Sequence, residues 1–263
     1  MSYRIGFIGA GRVAWHLAPA LKNSGHRILQ VISKSALSAQ KLGDRVGCEH
    51  TDKITKLDRD IQILFLTVAD HALVELINDI SDYRGIVVHT SGTFSSMRFV
   101  CQKYKYGGMY PLQTFSIGKP LDLSNVPVFI EGCEPAVTEV LVNLASGFSS
   151  EVHVVGHEER RWMHLAAVWS NNFTNHMLTN AYGIMNEHSL PVKWLEPLIR
   201  ETFNKAIELG PLKSQTGPAV RHDQQTLKKH VDLLSYSQEL QVLYKRLSDS
   251  IQNVSTASKG DRL

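Results

Sequence analysis

The chain has 263 residues, a length that suits two ordinary domains. Hydrophobic residues make up 43% and charged residues 20%, as in ordinary globular proteins, and a formal net charge of +3 argues against a nucleic-acid or membrane partner. Cys48, Cys101 and Cys133 lack the spacing of a zinc site or a disulfide framework, so we expect reduced thiols and no bound metal. With neither a membrane-length apolar run nor a signal-peptide pattern, the sequence predicts a cytoplasmic protein.

Strand and helix patterns alternate through the first half of the chain. Apolar runs predict strands at Arg4–Ile8, Arg27–Ile32, Ile61–Val68 and Ile86–His89, with shorter ones at Tyr110–Pro111, Val126–Ile130 and Val152–Val155. Helical spacing predicts helices at Val13–Ser24, Ala36–Val46 and His71–Ile80. This alternation predicts an α/β domain over residues 1–152, built on a doubly wound parallel sheet with helices on both faces.

The second half carries helical patterns alone. We expect helices at His157–Met185, Val192–Leu209, Asp223–Leu234 and Gln238–Ile251. Residues 153–263 are therefore predicted to form an all-α domain, which would bind a substrate or join two copies of the chain.

A glycine-rich loop joins the first predicted strand to the first helix. It contains the pattern G-x-G-x-x-A at Gly9, Gly11 and Ala14. In a Rossmann domain the first glycine permits a tight turn, the second lets the backbone approach a pyrophosphate, and the small third residue lets helix and strand pack closely. The strand–turn–helix context favours this interpretation over an unrelated tight turn. The predicted cofactor-binding residues here are Gly9, Ala10, Gly11, Arg12 and Val13.

The end of the second strand indicates which dinucleotide binds. NAD-specific sites place an acidic residue there, which bonds the ribose 2′-hydroxyl. This sequence instead has Ser33, Lys34 and Ser35, a lysine between two hydroxyls that suits a 2′-phosphate. We therefore predict NADP(H), with a solvated Lys34 as the alternative.

Two further loops follow predicted strands, at the sheet edge where ligands bind in this fold. Backbone groups after the third strand are expected along the nicotinamide ribose, with Asp70 predicted to cap the next helix. Thr90 and Ser91 follow the next strand and are predicted to meet the nicotinamide or substrate, unless they only form a turn. Gln113 lies in an apolar segment that suits a cleft wall. The cofactor-binding residues predicted in these two loops are Thr67, Val68, Ala69, Thr90 and Ser91.

Polar residues form a stripe along the long predicted helix of the second half. At about 100° per residue, His164, Asn171 and Asn175 fall on one side of that helix. They would meet a substrate, with His164 as a proton donor, or else bond neighbouring helices or a second subunit. Arg221, in the segment before Asp223, would bind a substrate carboxylate or phosphate, or pair with an acid on the surface.

Seven segments carry a resemblance to the bacterial Rossmann-like oxidoreductases that have a C-terminal helical domain of unknown function: GFIGAGRVA, ISKS, LFLTVAD, VVHTSG, YPLQTF, RRWMHLAAVWSNNF and TGPAVRHD. The arrangement is more distantly similar to pyrroline-5-carboxylate reductase, deazaflavin-dependent NADP oxidoreductases and 3-hydroxyacid dehydrogenases. The resemblance implies NADP(H) and a homodimer joined through the helical domains, but no particular substrate. The dehydrogenases use a lysine, with an asparagine one turn later, where this chain has His164 and Val168. Their lysine mechanism therefore does not carry over.

Three hypotheses follow. The first is an NADPH-dependent reductase of a small carbonyl or imine compound, in which His164 donates the proton and Asn171 and Ser91 orient the substrate. Arg221, Asn175 and Gln113 would bind that substrate. The second is a non-catalytic NADP(H)-binding sensor or interaction protein, suggested by the lack of a recognised acid–base pair. The third is pyrroline-5-carboxylate reductase itself.

Overall fold

The central feature of the computed structural model, which describes residues 2–100 and 102–260, is an eight-stranded sheet. The strands lie in the order β3-β2-β1-β4-β5-β6-β7-β8, and all adjacent pairs are parallel except β6 and β7. The chain runs outward from β1 to β3 and returns to β4 on the other side of β1. Loops after β1 and β4 therefore diverge, which opens a crevice at the carboxyl ends of the strands. The strands are β1 (Arg4–Ile8), β2 (Arg27–Ile32), β3 (Glu49–Thr51), β4 (Ile63–Leu66), β5 (Ile86–His89), β6 (Lys105–Pro111), β7 (Val128–Gly132) and β8 (Val152–Val154).

Helices cover both faces of this sheet, as predicted for a doubly wound domain. On one face, α1 (Arg12–Asn23), α2 (Ala36–Val46) and α4 (Pro135–Ser146) contribute to one apolar core. On the other face, α3 (Asp70–Asp79) and the segment after β5 contribute to a second core. All four residues of β4 are buried, because that strand lies between the two cores.

The predicted bounds of β1, β2, β5 and α2 agree with the structure residue for residue. Three of the strands and α-helices, namely β3, α4 and the short helix at Pro211–Ser214, are absent from the predicted set. The buried residues of α4 are Val137, Leu141, Leu144 and Ala145, a spacing that is typical of an amphipathic helix. It was therefore readable from the sequence, whereas β3 has only three residues and no apolar pattern.

The second half is helical, as predicted, but its first helix is not regular throughout. An α-helical segment, α5 (His157–Ala167), runs into a π-helical segment at Val168–Phe173 and continues as α6 (Thr174–Glu187). The prediction of one uniform helix over His157–Met185 is corrected on this point. The remaining helices are α7 (Glu196–Leu209), α8 (Pro211–Ser214), α9 (Gln224–Leu233) and α10 (Gln238–Gly260).

The chain divides into two units, Met1–Met177 and Leu178–Leu263. The predicted boundary between residues 152 and 153 falls within β8. That the helical domain begins there stays a prediction. In the second unit, Asp223 caps α9 by accepting a hydrogen bond from the backbone N–H of Thr226 at 3.0 Å, as expected of an N-cap. The hydroxyl of Tyr244 on α10 lies 2.7 Å from Nδ1 of His230 on α9, which joins these two helices.

Within the described part of the chain, no helix is both long enough and apolar enough to cross a membrane. Cys48 and Cys133 are free thiols, and burial raises the pKa of Cys48 to about 11. Cys101 lies outside the described residues.

Candidate active site

The glycine-rich loop after β1 is held against the end of β4. Gly9 has a φ of +105°, and a Cβ atom there would lie 2.5 Å from the carbonyl oxygen of Thr67. Only glycine fits this approach without strain. The buried hydroxyl of Thr67 donates to the carbonyl oxygen of Gly9 at 2.8 Å. The side chain of Thr67 therefore fixes the loop in place.

Gly11 has a different reason to be glycine. It is the N-cap residue of α1, with a φ of −83° that any residue adopts. A Cβ atom there would approach only the Thr67 carbonyl oxygen, at 3.9 Å, so the protein's own packing does not require a glycine. The first turn of α1 has no acidic residue and no side-chain cap, and Arg12 is exposed beside it. This helix start therefore suits an anion that approaches the backbone closely.

Ser33, Lys34 and Ser35 follow β2, on the other side of the glycine-rich loop. Ser35 caps α2, its hydroxyl oxygen accepting from the backbone N–H of Ser38 at 3.3 Å. Lys34 is nearly fully exposed and lies 3.8 Å from the carboxylate of Glu75. A pair this exposed contributes little to stability, so the ammonium group is free to reorient toward a ligand.

Two strand-end loops are joined to each other. Asp70 was predicted to cap α3, but it is the first residue of that helix and its side chain caps nothing. Instead, its carboxylate accepts a hydrogen bond from the hydroxyl of Thr93, which follows β5. Ser91 stabilises its own turn, because its hydroxyl oxygen accepts from the backbone N–H groups of Thr93 at 3.1 Å and Phe94 at 2.9 Å. These contacts align the loops that contain Val68, Ala69 and Thr90.

A cavity of about 690 Å³ lies between the start of α1, the end of β6 and the helical segment from α5 to Phe173. This volume is in the range of small-molecule and cofactor sites. Five predicted site residues line it: Arg12, Val13, Gln113, His164 and Asn171. Ser91 and Asn175 are not among its lining residues.

His164 is positioned on two sides. The hydroxyl of Tyr110, at the end of β6, lies 2.9 Å from Nδ1 of His164. Burial raises the pKa of Tyr110, so the phenol keeps its proton. On the other side, a Cβ atom on Gly92 would lie 2.5 Å from the same Nδ1, so the backbone after β5 passes directly against the imidazole. His164 is thus held at the wall of the cavity.

Asn171 lies in the π-helical segment. Each residue turns through less than 100° in such a segment, so the predicted alignment of His164, Asn171 and Asn175 does not continue through it. Asn171 and Asn172 both line the cavity as a result. Wide helical turns of this kind occur frequently at functional sites.

Arg221 belongs to the second unit, where it is exposed in the turn before α9. Its role toward a substrate stays a prediction, as do the roles of Asn175, Ser91 and the loop residues. Tyr110 was missed as a site residue. The signal that identifies it is a tyrosine at the carboxyl end of a strand, inside the segment 109–115 that the sequence predicts as a cleft wall.

Comparisons with known proteins give two family matches. Residues 1–112 match the Rossmann-like domain, and residues 126–251 match a domain of unknown function, DUF2520. Among curated proteins, no sequence matches this one significantly.

Solved structures resemble the chain along nearly its whole length. A Bacteroides fragilis protein, provisionally named an NADP oxidoreductase, is 36% identical, with a TM-score of 0.92 over 96% of this chain and 98% of its own. A Thermotoga maritima protein is 20% identical, with a TM-score of 0.71 over 97% and 99% of the two chains. An imine reductase from Myxococcus stipitatus, solved in complex with NADP⁺, is 15% identical, with a TM-score of 0.63 over 98% of this chain and 94% of its own. At these lower identities the likeness is one of fold.

Proposed function

Since the chain belongs to the family of Rossmann-like proteins that carry a DUF2520 domain, we propose that it is an NADP(H)-dependent oxidoreductase that reduces a small carbonyl or imine compound. The observation that carries the proposal is the cavity that extends from the glycine-rich loop to His164. A nucleotide site and a group able to donate a proton thereby share one space. The related Bacteroides fragilis protein, provisionally named an NADP oxidoreductase, supports the cofactor class.

The residues at the sheet edge fit a phosphorylated dinucleotide. Gly11 leaves room for a pyrophosphate at the start of α1, where backbone N–H groups and the helix dipole favour anions. Lys34, with Ser33 and Ser35, would hold the 2′-phosphate, since the residues directly after β2 include no acid that would repel it. Thr67 contributes by fixing Gly9 rather than by direct binding through its hydroxyl.

When bound, the cofactor supplies a hydride to the substrate carbon. The carbonyl oxygen or imine nitrogen must gain a proton to complete the reduction, and His164 is the group that we assign to donate it. Tyr110 positions the imidazole through Nδ1, which directs Nε2 away from the phenol. Asn171 and Gln113, on the same cavity wall, would orient the substrate through their amide groups. Ser91 and Asn175 complete the proposed substrate contacts within the first unit. Arg221, in the second unit, is proposed separately as a group that could bind a substrate acid group.

The helical half would join two copies of the chain in a cytoplasmic homodimer. Large apolar side chains are exposed on α5 and the π-helical segment, including Trp162 (65%) and Trp169 (64%). In the second unit the same holds on and beside α7, where Trp194 is 62% exposed and Ile207 82%. Isolated chains rarely expose so many large apolar groups, so a second copy is the expected cover. Sedimentation equilibrium should give twice the chain mass of 29.4 kDa.

The proposal is tested by titrating the purified protein with NADPH and with NADH, following nicotinamide fluorescence. We expect a clear preference for NADPH. Lys34→Glu should weaken NADPH binding by about tenfold or more and leave NADH binding nearly unchanged, because only NADPH carries the 2′-phosphate. Lys41→Glu, at an exposed position on α2, is the matched control and should affect neither.

A screen of carbonyl and imine substrates then separates the alternatives. Turnover of pyrroline-5-carboxylate alone would identify that reductase. Tight NADPH binding with no turnover on a broad panel would favour a nucleotide sensor. Failure to bind either nucleotide would refute the proposal.

A further inference from the structure

A continuous chain of polar groups lies behind the candidate site, outside its cavity. Arg160, Ser96 and His89 are buried, and Glu131 and Ser91 are partly exposed. Arg160 on α5 is fully buried and pairs with the carboxylate of Glu131 on β7. The same carboxylate lies 3.0 Å from the hydroxyl of Ser96, which in turn lies 2.9 Å from Nε2 of His89. The other imidazole nitrogen, Nδ1, lies 3.2 Å from the backbone nitrogen of Ser91. These contacts link α5, β7 and the loop after β5.

The donors in this chain are fixed in one direction. The N–H of Ser91 can only donate, so Nδ1 of His89 carries no proton. Burial and the nearby Arg160 and His157 lower the pKa of His89 to about 3, so the ring is neutral and its hydrogen sits on Nε2. Nε2–H therefore donates to Ser96, whose hydroxyl donates to Glu131. The carboxylate is held in place by Arg160.

This chain of bonds fixes the two elements that meet at the cavity wall. Its last member, Ser91, precedes Gly92, whose backbone packs against the ring of His164. Its first member, Arg160, lies one helical turn before His164 and also donates to the carbonyl oxygen of Phe94 at 2.7 Å. The strand-end loop and the helix that carries His164 are therefore held by the same five groups.

Burying an ion pair is an expensive way to stabilise a fold, because apolar side chains of similar volume often do as well. This ion pair, however, continues into a chain of hydrogen bonds through Ser96 and His89 to Ser91. Each hydrogen bond requires a particular donor and acceptor geometry, so the chain fixes the positions of the groups that it joins. The loop that it positions is the one expected beside the nicotinamide.

We propose that Glu131, Ser96 and His89 form a positioning relay, which sets the Ser91–Gly92 backbone against His164 so that the nicotinamide end of the cofactor binds in a single productive orientation. This inference rests on the proposed function. Glu131, Ser96 and His89 act through the loop rather than by touching the reacting atoms.

Two substitutions at His89 separate positioning from packing. In His89→Asn, the amide oxygen takes the place of Nδ1 and can still accept from Ser91. In His89→Gln, the amide nitrogen takes the place of Nε2 and can donate to Ser96, but nothing accepts from Ser91. Both variants lose the ring that packs against Phe94 and Phe99, so they form a matched pair.

The readout is affinity for NADPH compared with affinity for 2′-phospho-ADP-ribose, which lacks only the nicotinamide. His89→Gln should weaken NADPH binding by about tenfold, as expected for one lost hydrogen bond, and leave the affinity for 2′-phospho-ADP-ribose unchanged. His89→Asn keeps the acceptor for Ser91 but loses the donor to Ser96, so it should weaken NADPH binding by only about threefold and leave the affinity for 2′-phospho-ADP-ribose unchanged. Ser96→Ala loses the same bond to His89, so it should reproduce the effect of His89→Asn and provides the test if the His89 variants do not fold.

Equal loss of NADPH affinity in the two His89 variants, or parallel loss of both ligands, would overturn the positioning role while leaving the cofactor assignment intact. Failure of the wild-type protein to bind either ligand would overturn the proposed function and this inference together.

Discussion

His89 makes the stability of this fold depend on pH in a way that can be worked out from its surroundings. The side chain is fully buried, and its pKa is lowered from the ordinary 6.5 to about 3, chiefly by loss of solvation and further by Arg160 and His157. The unfolded chain therefore binds a proton at this position between pH 6.5 and pH 3, while the folded chain does not. The titration of His89 therefore leaves the free energy of unfolding unchanged above about pH 6.5 and lowers it as the pH falls toward 3.

For each pH unit below 6.5, the proton bound only by the unfolded chain lowers the free energy of unfolding by about 1.4 kcal/mol. At pH 5 this histidine alone should reduce the free energy of unfolding by about 2 kcal/mol relative to pH 8. Other groups also titrate in this range, so the useful quantity is the difference between wild type and a variant that has no imidazole.

Urea denaturation of wild type and His89→Asn at pH 8 and pH 5 measures that difference. The variant should be the less stable protein at pH 8, because it loses ring packing and the bond to Ser96. The gap should narrow by about 2 kcal/mol at pH 5. His89→Gln is the control and should narrow the gap equally, since only the absence of the imidazole matters. A gap that stays constant with pH would refute a neutral, desolvated His89.

Three further predictions concern the site and the helical half. Gly9→Ala should destabilise the protein by at least about 2 kcal/mol, because residue 9 has a positive φ and an added Cβ would lie 2.5 Å from a backbone atom. Gly11→Ala should leave the melting temperature unchanged and weaken only NADPH binding. Equal effects of the two substitutions on stability would contradict the different roles assigned to the two glycines. Tyr110→Phe removes the hydroxyl that holds His164, so it should lower kcat about tenfold and shift the pH profile of kcat with little change in NADPH affinity. An unchanged pH profile would exclude Tyr110 from the mechanism. Ile207→Glu would bury a charge at the proposed dimer interface, so sedimentation experiments should show a monomer in place of the dimer. A variant that still dimerises with wild-type affinity would exclude α7 from that interface.

Sequence patterns predict most of the sheet because its strands are marked locally. Apolar runs ending at glycines and polar residues indicate β1, β2 and β5, and the fold class follows from their alternation with helices. The start of α1 was identifiable for the same reason, since the glycine-rich motif encodes both a turn and a ligand. α4 could have been found from its apolar spacing, but the start of the π-helical segment after α5 has no comparable signature.

The relay behind the site was beyond local patterns. His89 ends an apolar strand and Arg160 lies in a charged stretch of α5, so each looks ordinary where it stands in the sequence. Their roles depend on Glu131 and Ser96, which the fold brings to the same place from other elements. Tertiary contacts of this kind cannot be read from periodicity, which reports only which side of an element is buried.

Gly92 shows how closely the two parts of the site depend on each other. Its backbone conformation does not require glycine, yet a single methyl group there would meet the His164 ring at 2.5 Å. Residue 92 is glycine because a helix that begins 65 residues later places an imidazole against it. Conversely, the imidazole can lie at the cavity wall only because the loop leaves that space. The strand-end loop and the helix that carries His164 therefore depend on each other for their positions, and the relay from Glu131 to Ser91, together with Arg160, holds both of them in place.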